Sequence, residues 1–244
     1  MLSKRNLRNV IQWPLGLLAV LWIVFIVDYY LFGGLLGYYY GAHPREAAGL
    51  PGIILSPIFH GGWGHLISNS LPFLSLSALL VFFYPRLWAR VLISLWLGTG
   101  ALVWLLGRGG TVHLGASGVI YALAAFLAFS GFFRRDFRAV VVSLLVLFYY
   151  GGMIVGILPG QEGISWESHL LGLVMGVVGA YVYRGELEDH EIATRRKAAQ
   201  RKQQQRKKER FLRADAFDKT KKERENEAFW EKLKELSERE RLGR

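Results

Sequence analysis

The feature that most constrains this chain is a succession of apolar runs, each near the ~20 residues a helix needs to cross the hydrocarbon core of a bilayer. Six can be marked off, at roughly 14–36, 66–83, 87–107, 116–133, 139–158 and 164–183. Charge avoids them. Residues 1–184 hold 11 Lys and Arg and 5 Asp and Glu, whereas the last 60 residues hold 19 and 14. An ordinary soluble domain is about one quarter charged, so the first part excludes both a soluble enzyme and a disordered chain. The pattern predicts an all-α polytopic membrane protein, with a six-transmembrane-helix bundle in residues 1–184 and a charged, helical cytoplasmic tail in residues 185–244.

The flanks of the runs predict a topology. Lys4, Arg5, Arg8, Arg86, Arg90, Arg134, Arg135, Arg138 and Arg184 fall on one side, and only Arg45 and Arg108 on the other. Basic residues collect on the cytoplasmic side. Both termini are therefore expected inside, and spans 2, 4 and 6 are expected to start at the outer face. The basic opening Met1-Leu-Ser-Lys-Arg resembles that of a signal peptide, but the apolar stretch is too long and no small-residue cleavage site follows. A retained anchor is expected. Tyr38, Tyr39, Tyr40, Trp63 and Trp166 fall at outer boundaries, where amphipathic rings act as interfacial anchors.

Polar side chains inside a span are costly and mark function or helix contacts. Here they gather in the first turns of three spans. Span 2 opens Trp63-Gly64-His65-Leu66-Ile67-Ser68-Asn69, span 4 opens Gly115-Ala116-Ser117-Gly118, and span 6 opens Ser165-Trp166-Glu167-Ser168-His169. A helix rises 1.5 Å per residue, so Asn69 lies only about 6 Å deeper than His65. If these helices pack together, a shallow polar pocket opens to the outer face. Gly172, Gly176 and Ala180 continue one stripe from His169, and such small-residue stripes allow close backbone approach in lipid. Ser117 and Tyr121, four apart, share a face of span 4.

This inventory suits serine hydrolysis. A serine hydroxyl becomes a nucleophile when a base removes its proton, and histidine is the usual base. His65, Asn69 and the Ser117 backbone N–H at a helix start could donate to the developing oxyanion. Glu167 stands two positions before His169, which on a helix turns it away, so a Ser–His dyad is expected without a carboxylate third member. The Gly-x-Ser-Gly here is not the strand-to-helix nucleophile elbow, since Val119 occupies the place of its last glycine.

The set His65-x-x-x-Asn69, Gly115-Ala116-Ser117-Gly118 with Tyr121, and His169-x-x-Gly172-x-x-x-Gly176 resembles the rhomboid intramembrane serine proteases over about residues 55–183. The resemblance implies Ser117 as nucleophile, His169 as general base and then acid, and His65 with Asn69 in the oxyanion hole. It also implies Tyr121 packed on the His169 ring, and a structural loop histidine at His60. The family cleaves membrane proteins in or beside a transmembrane segment, without metal or cofactor, so no cofactor is expected and transmembrane proteins are the expected substrates. Two departures stand out. The outer loop 41–64 lacks the Trp-Arg pair usual in the family, and Ser168 replaces the commoner Ala before the histidine.

Other readings compete with this one. A catalytically silent rhomboid-like scaffold or chaperone would bind membrane helices, but pseudoenzymes generally lack the Ser or the His, and both are present. A small transporter would often show inverted repeats and broken helices at the midplane; no internal repeat is seen, and the polar groups sit near one face instead. Asp28 is a carboxylate well inside a span; without a partner aspartate or a Gly-x-Gly-Asp motif, it reads as snorkelling or hydrogen-bonded. No His-Glu-x-x-His occurs, and His60 with His65 alone makes a poor metal site. In the tail, ten Lys and Arg and one Glu lie between Arg195 and Arg213, a block suited to anionic lipid at a cytoplasmic surface. Charge alone would admit nucleic acid, but no reader motif accompanies it, and nucleic acid is not an expected partner. Phe229, Trp230, Leu233 and Leu236 follow helical spacing and could dock on a partner or the bilayer. A prokaryotic plasma membrane, with the site opening outward, is the expected location.

Overall fold

The computed structural model describes residues 4–134, 136–160, 165–215 and 220–242. Arg135 and Ile164, named above in a basic flank and as the start of the sixth span, lie outside the described residues. The chain is helical: α1 (Lys4–Leu31), α2 (Leu35–Tyr40), α3 (Gly52–Leu55), α4 (Trp63–Phe83), α5 (Trp88–Leu106), α6 (Ser117–Arg134), α7 (Phe137–Tyr150), α8 (Trp166–Val182), α9 (Asp189–Asp215) and α10 (Lys221–Leu242). Five stretches, Leu7–Leu31, Trp63–Phe83, Trp88–Leu106, Ser117–Arg134 and Phe137–Ile157, are long and apolar enough to cross a membrane. The 17 residues of α8 sit at the short end of the range for a sixth. Side chains such as Leu31, Phe132 and Phe148 stand 74–81% exposed, a surface suited to lipid and not to water. The chain forms two units, Met1–Asp189 and His190–Arg244.

In the first unit α6 is the central post. Of its span 72% is buried, against 17% for the α1 and α7 spans. It packs on α4, α5, α7 and α8. The contact with α8 is the closest because of glycine: a Cβ on Gly172 would strike the Gly118 carbonyl, and one on Gly176 would strike the Ala122 carbonyl. Apolar tails of lipid compete equally well for Leu and Phe, so such close backbone fits, more than hydrophobicity, hold helices together in a membrane. Around them Leu66, Phe73, Leu76, Leu95, Leu123 and Phe126 fill the interior. α1 leans on α4, where the Trp22 indole donates to Ser70 Oγ at 3.0 Å.

Two span boundaries differ from the sequence-based expectation. The first span stops at Leu31 instead of continuing to 36, because Gly33 and Gly34 take φ of +60° and +83°, a left-handed conformation that ends a helix. The residues beyond form the separate helix α2, and its amides at Leu36 and Gly37 donate to the Asp28 carboxylate at 3.0 and 2.9 Å. Asp28 is thus a tertiary cap for α2, the hydrogen-bonded reading of that residue. The fifth span is α-helical only to Tyr150 and continues as a 3₁₀ segment, Gly151–Ile157. Gly151, Gly152 and Gly156 make that stretch a weak α-former, and its tighter winding re-aims two carbonyls described below.

The loop between α1 and α4 is anchored onto α5. Arg45, at φ +62°, donates to the Gly107 carbonyl at 2.8 Å, satisfying an end of α5 that has no helical partner. The Trp96 and Trp104 indoles donate to the carbonyls of Ile54 and Glu46 at 2.8 and 2.9 Å.

The second unit holds most of α9 and all of α10, both polar helices. Thr220 and Glu223 cap α10 reciprocally: Thr220 N–H donates to Glu223 Oε2 at 2.6 Å, and Glu223 N–H to Thr220 Oγ1 at 3.3 Å. That is a capping box. Phe229, Trp230, Leu233 and Leu236 are all exposed on α10.

Candidate active site

One cavity of about 840 Å³ opens at the starts of α4, α6 and α8, and His65, Asn69, Ser117, Tyr121 and His169 all line it. Gly115, Gly118, Gly172 and Gly176 are not in that lining: Gly172 closes on Gly118 and Gly176 on Ala122, where α6 and α8 meet. Gly115, at φ +101°, precedes α6, and a Cβ there would collide with the His65 ring. Only glycine accepts both that conformation and that proximity. Gly115 N–H donates to the Ser56 carbonyl at 2.9 Å, so the loop that delivers Ser117 is tied to the α1–α4 loop.

His60 is a brace for the same loop. Its Nδ1–H donates to the Ile58 carbonyl at 3.3 Å, and its Nε2 accepts from Ala116 N–H at 3.4 Å. A carbonyl and an N–H fix these roles, and together they require a neutral ring. Burial, reinforced by His65 nearby, lowers its pKa to about 4. The two imidazoles meet edge to face with centroids 5.1 Å apart.

His169 is oriented from two sides. Its Nδ1 lies 2.8 Å from the Gly156 carbonyl, which can only accept. The proton is therefore on Nδ1, and Nε2 is left as the basic nitrogen. Tyr121 stacks on the imidazole at 4.3 Å between centroids and 9° between planes. The Tyr121 hydroxyl donates to the Met153 carbonyl at 2.6 Å. Both carbonyls belong to the 3₁₀ segment Gly151–Ile157. Glu167 instead pairs with Arg108, 3.6 Å from its Nε, so the group orienting His169 is a backbone carbonyl and not a carboxylate. Ser117 begins α6, where the first N–H groups have no helical acceptor and the helix dipole is positive. Among the described residues, no hydrogen bond joins Ser117 to His169; such contacts often tighten only when substrate binds.

Asn69 is 7% exposed, and its Nδ2 is buried with no acceptor among the described residues. A buried donor left unpaired costs about 1–3 kcal/mol. Its position on the cavity wall, beside His65, makes it available to an anion that forms there.

Sequence reasoning did not mark Gly156, Met153 or His113, and it named Ser165 only among the polar residues that open the sixth span. Gly156 had a signal in the glycines that interrupt the fifth span, and a Cβ there would collide with the Tyr121 hydroxyl and come within 3.3 Å of His169 Nδ1.

These features define a polytopic helical membrane protein with a polar cavity let into one end of its bundle. The rhomboid domain matches residues 47–186, and the chain belongs to the rhomboid family. It is 39% identical over 187 residues to an uncharacterized protein of Mycobacterium bovis and to one of Mycobacterium tuberculosis, covering 70% of this chain and 76% of each relative. An uncharacterized protein of Mycobacterium leprae is 37% identical over 140 residues, 54% of this chain and 55% of the relative.

Proposed function

We propose that this rhomboid is an intramembrane serine endopeptidase that hydrolyses peptide bonds in or beside transmembrane segments of membrane-protein substrates. The observation that carries the reading is the His169 tautomer: Nδ1–H is held by the Gly156 carbonyl, and Nε2 is free to act as base in a cavity also lined by Ser117.

His169 Nε2 takes the Ser117 hydroxyl proton as Oγ attacks the scissile carbonyl. The oxyanion is met by Ser117 N–H, Asn69 Nδ2–H and the His65 ring. His169 then protonates the leaving amine as the C–N bond breaks. Water, activated by the same nitrogen, hydrolyses the acyl-enzyme and returns the proton to Ser117. The polar cavity mouth admits that water. The N- and C-termini are cytoplasmic, the cavity opens to the outer face of a prokaryotic plasma membrane, and the basic block 195–213 lies against anionic lipid.

A fluorophosphonate serine probe tests the chemistry without a known substrate. Wild-type protein in detergent is labelled, and Ser117→Ala is not; His169→Ala is labelled far more slowly. An unlabelled wild type, folded and run beside a labelled rhomboid, would sink the protease reading and favour the helix-binding scaffold.

A further inference from the structure

We propose that His113 is a positioning residue that sets the distance between Ser117 and His169 by bracing the first turn of α8 against the loop that leads into α6. The proposal rests on the reading of Ser117 and His169 given above.

His113 stands four residues before Ser117 and is 4% exposed. Its backbone pairs both ways with Ala42, at 3.1 and 2.9 Å, which pins it to the α1–α4 loop. Its ring reaches across to α8. Nδ1 is 2.5 Å from Ser165 Oγ and 3.4 Å from Ser168 Oγ, while Nε2 is 3.1 Å from Thr111 Oγ1 and 3.4 Å from the Arg108 carbonyl. Thr111 Oγ1 donates to that same carbonyl at 2.7 Å, so its proton is committed and it accepts from Nε2–H. Nδ1 is then an acceptor and takes the Ser165 hydroxyl proton. Ser168, 2.7 Å from Ser165 Oγ, donates in turn. Every donor in this chain of four side chains points one way, from α8 through the imidazole to the α5–α6 loop. Burial keeps His113 neutral by pushing its pKa down, as that direction requires.

The brace acts on both expected members of the dyad. Ser165 stands at the N-cap position of α8 without a side-chain capping bond, and its carbonyl accepts from His169 N–H at 3.3 Å, so the serine that bonds His113 begins the turn that carries His169. The Ser168 carbonyl faces Gly118 at the start of α6, where a Cβ would come within 3.2 Å of it. Without the imidazole, the start of α8 is linked to the α5–α6 loop, among the described residues, by that packing and by the Arg108–Glu167 ion pair. The hydroxyl of Ser168, where the family more often has Ala, becomes part of the brace. His113, Thr111 and Ser165 line the same cavity as Ser117 and His169, but among the described residues none of these side chains hydrogen-bonds to Ser117 Oγ or to the His169 ring.

The test measures fluorophosphonate labelling kinetics on the full chain in detergent, separating the maximal inactivation rate from the concentration for half-maximal rate. His113→Leu fills the space without an acceptor. It is expected to slow the maximal rate roughly 10- to 100-fold, the cost of a small misplacement, while leaving the half-maximal concentration unchanged. His113→Asn, whose carboxamide oxygen can take the Nδ1 role, restores most of the rate. Ser165→Ala slows it too, and adding His113→Leu to Ser165→Ala costs little more. If folded Ser165→Ala labels at the wild-type rate, or if Asn rescues no better than Leu, the proposal is overturned. Ser165→Ala keeps the test open should His113→Leu fail to fold. An unlabelled wild type would reject the serine assignment instead, a result that involves no His113 variant.

Discussion

Tyr121 lies flat on His169, ring over ring, while its hydroxyl and the imidazole Nδ1–H reach two carbonyls of the same 3₁₀ segment, Met153 and Gly156. One short stretch of irregular backbone therefore holds both the proposed base and the ring stacked on it. Tyr121→Phe keeps the stack and loses one hydrogen bond, worth about 0.5–1.5 kcal/mol, and is expected to label within about tenfold of wild type. Tyr121→Ala removes the platform and is expected to lose considerably more. Equal rates for the two variants would show that stacking does not orient His169.

Gly156→Ala is expected to cut the labelling rate roughly 10²-fold, since the new methyl occupies the place of the Tyr121 hydroxyl and crowds His169 Nδ1. Gly152→Ala in the same segment meets nothing within 4 Å and serves as the control. Comparable losses in both would point to the segment's general stiffness.

Asn69 carries a buried donor with no partner among the described residues. Losing one oxyanion donor typically costs about 10²–10³ in turnover. Asn69→Ala should therefore lose that much activity, with a melting temperature that stays level or rises because an unsatisfied group is removed. A fall in melting temperature with activity intact would reverse the assignment.

Gly172→Ala is expected to destabilise the bundle by about 1–3 kcal/mol, the usual cost of overpacking, because its Cβ would press on the Gly118 carbonyl. Thermal unfolding in detergent measures this, with Gly185→Ala, which meets nothing within 4 Å, as reference.

Acid should destabilise the fold through His60. Its pKa is about 4 in the folded protein against an ordinary 6.5, so between those values the unfolded chain binds more protons. Stability is then full above about pH 6.5 and falls as pH drops towards 4. The slope in this window should flatten in His60→Gln when melting temperature is followed against pH.

Much of the architecture was legible because a bilayer imposes simple rules. A span must be apolar and about 20 residues long, and polar residues inside it stand out. His65, Asn69, Ser117 and His169 could be read as one set because all occur in the first turns of alternate spans. The end of the first span could not be placed. The hydropathy continues through Leu35 and Leu36, and only the left-handed backbone at Gly33 and Gly34 stops the helix there.

Hydropathy and residue spacing were enough for the helical membrane architecture, the glycine stripe of α8 and the polar residues near the starts of alternate spans. Tertiary structure alone decided what orients them. The partner of His169 is a carbonyl at Gly156, and every residue has a carbonyl, so nothing in the residue code marks the one that points inward. That direction exists only because the fifth span tightens into a 3₁₀ turn beside α8. The bond from His113 to Ser165 crosses 52 positions. It is set by how closely α6 and α8 approach, a distance that depends on the glycines between them, Gly118 and Gly172, as the whole bundle assembles.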